Sequence, residues 1–164
     1  MFTHDTSIEK AIRFSRFDST HLLSTASHPI ELEGEHWRSA EHYLQASLAR
    51  TASHVARIKL AASALEAYRL GNVWYRRKRE NWKSLRRVFM TRALYTKAMM
   101  YPDVKEALLN TGDESIIETS AYDHYWGIGR DQRGVNMLGK VWENIRSKIR
   151  EDAISAPSDH HPLT

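Results

Sequence analysis

Three clusters in this 164-residue chain carry side chains that can move protons, stack on a ring and hold phosphate. They are SAEHYLQ at 39–45, KRENW at 78–82 and YDHYWGIGRDQRGVNMLG at 122–139. In such a mixture Trp and Tyr can stack on a base, Asp, Glu and Asn can bond sugar hydroxyls, and Arg can grip phosphate. Glu41 falls in the first turn of a predicted helix, where the helix dipole favours the ionised form. It reads either as a first-turn carboxylate or as a general acid/base or sugar ligand. Glu118 and Asp123 flank an irregular stretch, and either could pair with a substrate hydroxyl or with a local arginine. Lys97 lies on a long, strongly cationic helix. Positive neighbours and partial burial lower a lysine's pKa, and a neutral amine attacks aldehydes such as a ring-opened sugar. The same spacing also fits a surface lysine.

Other chemistries find no support. The chain has no cysteine, which excludes disulfides, thiolate metal sites and a Cys nucleophile. It contains no H-E-x-x-H, no G-x-S-x-G and no G-x-x-x-x-G-K-[ST] pattern, and Gly127-Ile128-Gly129 does not follow a long strand. No metal and no cofactor are therefore expected, and the glycines are read as letting a loop turn tightly beneath Trp126. Residues 69–97 hold ten Lys/Arg against one acid, Glu80, whereas the rest of the chain holds 14 basic and 19 acidic residues. Arginine outnumbers lysine 16 to 8. Such a segment suits a phosphate-bearing partner, nucleic acid included, and equally suits a solvated helix face. No apolar run is long enough to span a membrane, and the first residues, with His4, Asp5 and Glu9, do not read as a signal peptide. A cytoplasmic location is expected.

The elements that must position these clusters follow from periodicity. Residues 11–14 can form a short strand, and 30–38 a hairpin turning at Glu33-Gly34. Ser39 caps a helix over 40–50, and Ser53 is read as capping one helix that ends at Gly71. A basic connection over 72–80 leads into a long helix with Trp82, Leu85, Phe89 and Ala93 on one stripe. Pro102 opens the next helix, which Gly112 ends. Residues 116–119 are β-prone, 121–134 show no period, and Leu138, Val141, Trp142, Ile145 and Ile149 mark a last helix. The result is a predominantly helical α+β domain over 11–152, with a flexible 1–10 and a disordered tail over 153–164.

In their order and spacing the three clusters, with LLNTGD at 108–113 and IIE at 116–118, resemble the NADAR family, also called YbiA-like, from about Ile12 to Arg150. The resemblance implies a compact, largely helical α+β fold and N-glycosidic cleavage of ribosylamine- or ADP-ribose-type ligands. It carries over Glu41, Gln45, Asn81, Trp82, Lys97, Glu118, Asp123, Trp126, Gly127 and Asn136 as site residues. Two positions depart from the family pattern. Ser24-Thr25-Ala26 stands where members often show Ser-Asn-Phe, and Leu48 where they often carry lysine.

The reading is a single-domain N-glycosidase for a phosphorylated ribosylamine, such as a riboflavin-pathway ribosylaminopyrimidine phosphate. Glu41, Lys97 and Asp123 are the expected catalytic residues. Gln45, Arg79, Asn81, Trp82, Glu118, Trp126, Gly127 and Asn136 are the expected substrate contacts. Lys97 as a Schiff-base nucleophile competes with direct water attack. Removal of ADP-ribose from guanine in nucleic acid, a non-catalytic ADP-ribose or NAD sensor, and a pure nucleic-acid binder are the alternatives.

Overall fold

A computed structural model of the chain describes residues 10–157. Its elements are β1 (Ile12–Phe14), β2 (Ile30–Leu32), β3 (Glu35–Trp37), α1 (Ala40–Leu48), α2 (Ala52–Lys59), α3 (Ala64–Gly71), α4 (Trp82–Met100), α5 (Pro102–Asn110), β4 (Ile116–Glu118) and α6 (Met137–Ser155). α1 is the central helix, and eight of its nine residues are buried. Ser39 starts it by accepting a hydrogen bond from the His42 amide. α1 packs against α2, α3 and α4, and α4 in turn packs against α6. Tyr43, Leu44, Met90, Leu94, Leu138 and Trp142 are fully buried in the shared core. The fold is thus α+β and predominantly helical, with two small sheets at its margins.

β2 and β3 form the expected hairpin, with Ile30 opposite Trp37. Its turn places Glu33 and Gly34 at φ 57° and 77°, the left-handed pair that a two-residue hairpin needs. β1 pairs in parallel with β4, with Ile12 opposite Ile116 and Phe14 opposite Glu118. This pairing brings the end of the first strand beside the irregular loop that follows the last.

Three expectations need correction. The helix read from Ser53 to Gly71 is two helices. Thr51, not Ser53, caps α2, and a second start is built at Ser63, which accepts from the Glu66 amide while the Glu66 carboxylate accepts from the Ala62 amide. The carbonyls freed at the break are taken by other side chains: Arg38 donates to Leu60 O and Ala61 O, and His42 Nε2 donates to Ala61 O. On α4 the buried stripe runs through Met90, Ala93, Leu94, Lys97 and Ala98, whereas Trp82, Leu85 and Phe89 are only half-buried. The first turns of α4 frame a cavity instead of filling the core. Finally, α6 continues to Ser155, so residues 153–155, read as disordered tail, are helical. Residues 1–9 and 158–164 lie outside the described residues. Among the described residues, no helix is long and apolar enough to cross a membrane.

Candidate active site

Arg16, two residues beyond β1, is the hub of the site. It is 1% exposed. Its Nε and Nη2 donate to the two carboxylate oxygens of Glu41, at 3.0 and 2.5 Å, and its Nη1 donates to Asp123 Oδ2 at 3.2 Å. Burial alone would lower the arginine's pKa, but Glu41 and Asp123 outweigh it and the guanidinium is held charged. Its planar face lies 5.0 Å from the Phe17 ring, 5.2 Å from Tyr68 and 5.6 Å from Trp126. A fork between two carboxylates with aromatic rings around it is a rigid, preorganised arrangement.

Glu41 is fully buried, and its oxygens are saturated. Besides Arg16, Oε2 accepts from Thr25 Oγ1 at 2.7 Å and Oε1 accepts from Gln45 Nε2 at 2.8 Å. Thr25 thus anchors the carboxylate from the segment where the sequence departs from the family's Ser-Asn-Phe. Gln45 passes the chain outward: its Oε1 accepts from Asn72 Nδ2, and Asn72 Oδ1 accepts from Lys78 Nζ at 2.9 Å. Gly71 makes room for Gln45, because a Cβ there would lie 2.2 Å from the Gln45 Oε1.

Asp123 differs from Glu41. Its Oδ1 accepts from the Tyr125 and Trp126 amides at 3.0 and 2.8 Å, a turn that fixes the carboxylate from within its own loop. Among the described residues its Oδ2 meets only Arg16, and the side chain is 24% exposed. Glu118 is fully buried and its carboxylate is taken up within the protein: it accepts from the Arg16 and Ser120 amides and from Ser120 Oγ. Gly127 passes so close that a Cβ would sit 2.1 Å from Glu118 Oε2. Asn136, at the start of α6, turns its amide to β4, accepting from Glu118 N and donating to Ile116 O. Glu118, Gly127 and Asn136, expected as substrate contacts, instead assemble the loop that presents Asp123.

Arg16, Gln45 and Asp123, together with Lys78, Trp82 and Arg86, line a cavity of about 130 Å³, whereas Glu41, Glu118, Gly127 and Asn136 stand behind its walls. Leu48 is an apolar wall of this cavity, which takes its amine from Lys78 instead. Burial lowers the Lys78 pKa. The Arg86 guanidinium sits over Tyr125, 3.2 Å from the ring centre. A second cavity, about 330 Å³, is lined by Phe17, Tyr68, Ser120, Ala121, Tyr122 and Asp123. Tyr68 and Asp123 line both, so the two cavities adjoin at this pair, as two halves of a cleft on either side of Asp123. A larger cavity of about 440 Å³ against α5 is mostly apolar, with His21 its one titratable side chain.

Of the remaining expected residues, Trp126 lines the smaller cavity, whereas Arg79, Asn81 and Lys97 fall outside this arrangement. Arg79 binds the end of α1, its amide donating to Leu48 O and its Nη1 to Ser47 O. Asn81 is exposed, takes a left-handed backbone and makes no side-chain cap bond to α4. Trp126 is 7% exposed and packs edge-to-face on Tyr125 at 4.7 Å, so it is a wall of the core more than a free stacking surface. Lys97 is fully buried and lines neither half of the cleft. Its Nζ donates to Ser24 O and Ser27 Oγ, both at 2.8 Å. Its pKa is lowered to about 7, and burial lowers it, not the cationic neighbours invoked from sequence; Asp103 acts in the opposite direction. Arg16, Tyr68 and Asn72 lie outside the motifs read from the sequence, whereas Lys78 and Arg86 fall in the basic segment that reading assigns to phosphate.

Comparison with known proteins agrees with this architecture. A family model described as the NADAR domain matches residues 1–150. N-glycosidase Npun_R5314 of Nostoc punctiforme is 35% identical over 126 residues, covering 75% of this chain and 81% of that protein. N-glycosidase YbiA of Escherichia coli is 30% identical, covering 76% and 78%. The NMR structure of the E. coli protein YbiA superposes with a TM-score of 0.82 at 29% identity, over 92% of this chain and 91% of that one. A riboflavin biosynthesis protein of Vibrio vulnificus is 30% identical, but the match spans 40% of its length. With the family model matching most of its length and named N-glycosidases aligned across its core, the chain belongs to the NADAR family and is an N-glycosyl hydrolase.

Proposed function

We propose that the chain hydrolyses the bond between ribose and nitrogen in a phosphorylated ribosylamine, of the kind a riboflavin-pathway ribosylaminopyrimidine phosphate represents. The observation that carries this reading is the position of Asp123, the carboxylate shared by the two halves of the cleft. The smaller half matches a ribosyl phosphate: about 130 Å³, with Lys78 and Arg86 as phosphate partners. The larger half offers Phe17, Tyr68 and Tyr122 to a planar base. The bond joining the two then lies beside Asp123. Two relatives named as riboflavin biosynthesis proteins, from Vibrio vulnificus and Zea mays, add support for the substrate class.

In this reading water attacks the anomeric carbon as the carbon–nitrogen bond breaks. The electron pair of that bond goes to the leaving nitrogen. Asp123 takes the proton from water through Oδ2 and returns it to the leaving amine. Positive charge develops on the sugar at the transition state, and the fixed carboxylate stabilises it. Glu41 and Arg16 are positioning residues, because all Glu41 oxygens are engaged within the protein. Lys97 holds the 24–27 segment that carries Thr25. A panel of N-ribosides with and without a 5′-phosphate, read by mass for released base, tests the assignment. Cleavage confined to phosphorylated ribosylamines, and lost in Asp123→Asn, is expected. Cleavage of unphosphorylated ribosides at the same rate would sink it.

A further inference from the structure

The connection between α3 and α4 is anchored at both ends and free in the middle. Asn72 ties it to Gln45 and Tyr68, and at the far end Lys78 bridges to Ala49 while the Arg79 amide donates to Leu48 O. Between these anchors Trp74-Tyr75-Arg76-Arg77 forms a tip, closed by a turn from the Arg76 amide to Val73 O, with Trp74, Tyr75 and Arg77 exposed and Arg76 half-buried. Trp74 is 94% exposed and Tyr75 62%. Their rings meet edge to face at 88° and 5.7 Å, which leaves a Trp74 face open. Among the described residues, neither Arg76 nor Arg77 makes an ion pair or a side-chain hydrogen bond, and the one nearby acid in sequence, Glu80, forms no salt bridge. Lys83 and Arg87 follow one turn apart on α4, likewise without a carboxylate partner among the described residues. The positive field reaches α2: besides burial, Arg76, Arg57 and Lys78 all push the His54 pKa down.

An exposed tryptophan beside unpaired arginines gains nothing within the fold. Packing does not use it, and neither does the cleft. We propose that the 74–77 tip, with Lys83 and Arg87, is a binding surface for single-stranded nucleic acid, with an unpaired base stacked on Trp74 and phosphates held by the arginines. The choice among polyanions follows from the side chains. Guanidinium forks match phosphate oxygens, and an open indole face matches an unpaired base, which a duplex conceals. An anionic membrane would call for a broad apolar helix face, and the tip is an irregular segment offering one ring pair. The surface adjoins the cleft through Lys78 but rests on residues outside it.

The full-length protein should bind a fluorescent oligothymidylate of about 20 nucleotides, measured by anisotropy. For four phosphate contacts on a single strand, affinity should fall roughly 50-fold between about 50 and 200 mM salt. Trp74→Ala should weaken binding about tenfold or more, the scale of one lost base–aromatic stack. The double variant R76Q/R77Q should weaken it further and reduce the salt slope by about 1.4. Base release from a phosphorylated N-riboside should be unaffected by Trp74→Ala, which separates this surface from the cleft. Absence of binding at about 50 mM salt would overturn the proposal, as would equal affinity for duplex with no effect of Trp74→Ala. Tighter binding to vesicles containing phosphatidylserine than to the oligonucleotide would also overturn it and assign the tip to a membrane.

Discussion

Arg16 and Glu41 form a two-bond guanidinium–carboxylate pair that is 1% and 0% exposed, with Thr25 and Gln45 filling the remaining acceptor positions. A buried pair of this kind is costly to break on one side, since the partner is left charged and unpaired. Glu41→Gln should therefore destabilise the protein by about 3–5 kcal/mol in denaturant unfolding. Arg16→Lys should also be strongly destabilising, because one ammonium cannot span Glu41 and Asp123. Full stability in either variant would show that the pair is not what holds the cleft together.

Asp123→Asn keeps the shape and the Oδ1 acceptor for the Tyr125 and Trp126 amides but removes the base. The rate constant kcat of the folded variant should drop by roughly 10²–10⁴, and the unfolding midpoint should fall as well, because the new amide meets Arg16 Nη1 donor to donor. A variant within threefold of the wild-type rate would move the proton-transfer role elsewhere.

The phosphate assignment predicts a split between kinetic parameters. Lys78→Met and Arg86→Gln should raise KM for a phosphorylated riboside by roughly tenfold or more, the loss of a charge-assisted bond, with a smaller effect on kcat. Both effects should shrink as salt rises, since the groups are only partly buried. An unphosphorylated riboside should not distinguish these variants from wild type.

Lys97 gives a stability signature whose sign is fixed by its lowered pKa. Between about pH 7 and the ordinary lysine range, the unfolded chain binds a proton that the folded chain does not. Stability contributed by this group therefore rises with pH across that window and reaches its low plateau below pH 7. Lys97→Met should flatten the rise, seen as the difference between the two proteins' unfolding free energies from pH 6 to pH 9. Borohydride added during turnover should leave no sugar on Lys97. A trapped adduct there would restore the Schiff-base route.

Gly127 is under a steric demand that no side chain meets. Gly127→Ala would set a Cβ 2.1 Å from Glu118 Oε2 and 3.1 Å from the Asp123 carbonyl. Loss of about 1–3 kcal/mol or more of stability is expected, together with lower activity as the Asp123 loop shifts. An alanine variant with native stability and activity would disprove the close approach.

How far the sequence anticipates this site depends on how local each signal is. Glu41, Gln45 and Asp123 sit in dense motifs, and the fold brings them together around Arg16. Arg16 itself follows a three-residue strand with no period around it, and nothing local distinguishes it from fifteen other arginines. Its role emerges only from the β1–β4 pairing across more than a hundred residues. Lys78 rather than Arg79 reaches the cleft because of one backbone bridge to Ala49, another long-range contact. By contrast, the break at 60–63 was legible: Ser63-Ala64-Leu65-Glu66 is a capping-box sequence, and apolar spacing across it concealed the stop. Motif matching also marked Glu118 and Asn136 without distinguishing residues that touch a ligand from residues that shape the loop behind it.

The parallel pairing of β1 with β4 also sets the order in which the molecule can become active. α1 to α4 are contiguous in the chain and can pack against one another early, whereas Ile12 must wait for Ile116. Closing so long a loop is paid in chain entropy before any contact rewards it. Arg16, two residues past β1, and Asp123, five past β4, therefore take their places together, once that pairing has formed. The cleft is thus among the last features to form, after α1 to α4 have met and as α6 completes the core with Leu138 and Trp142.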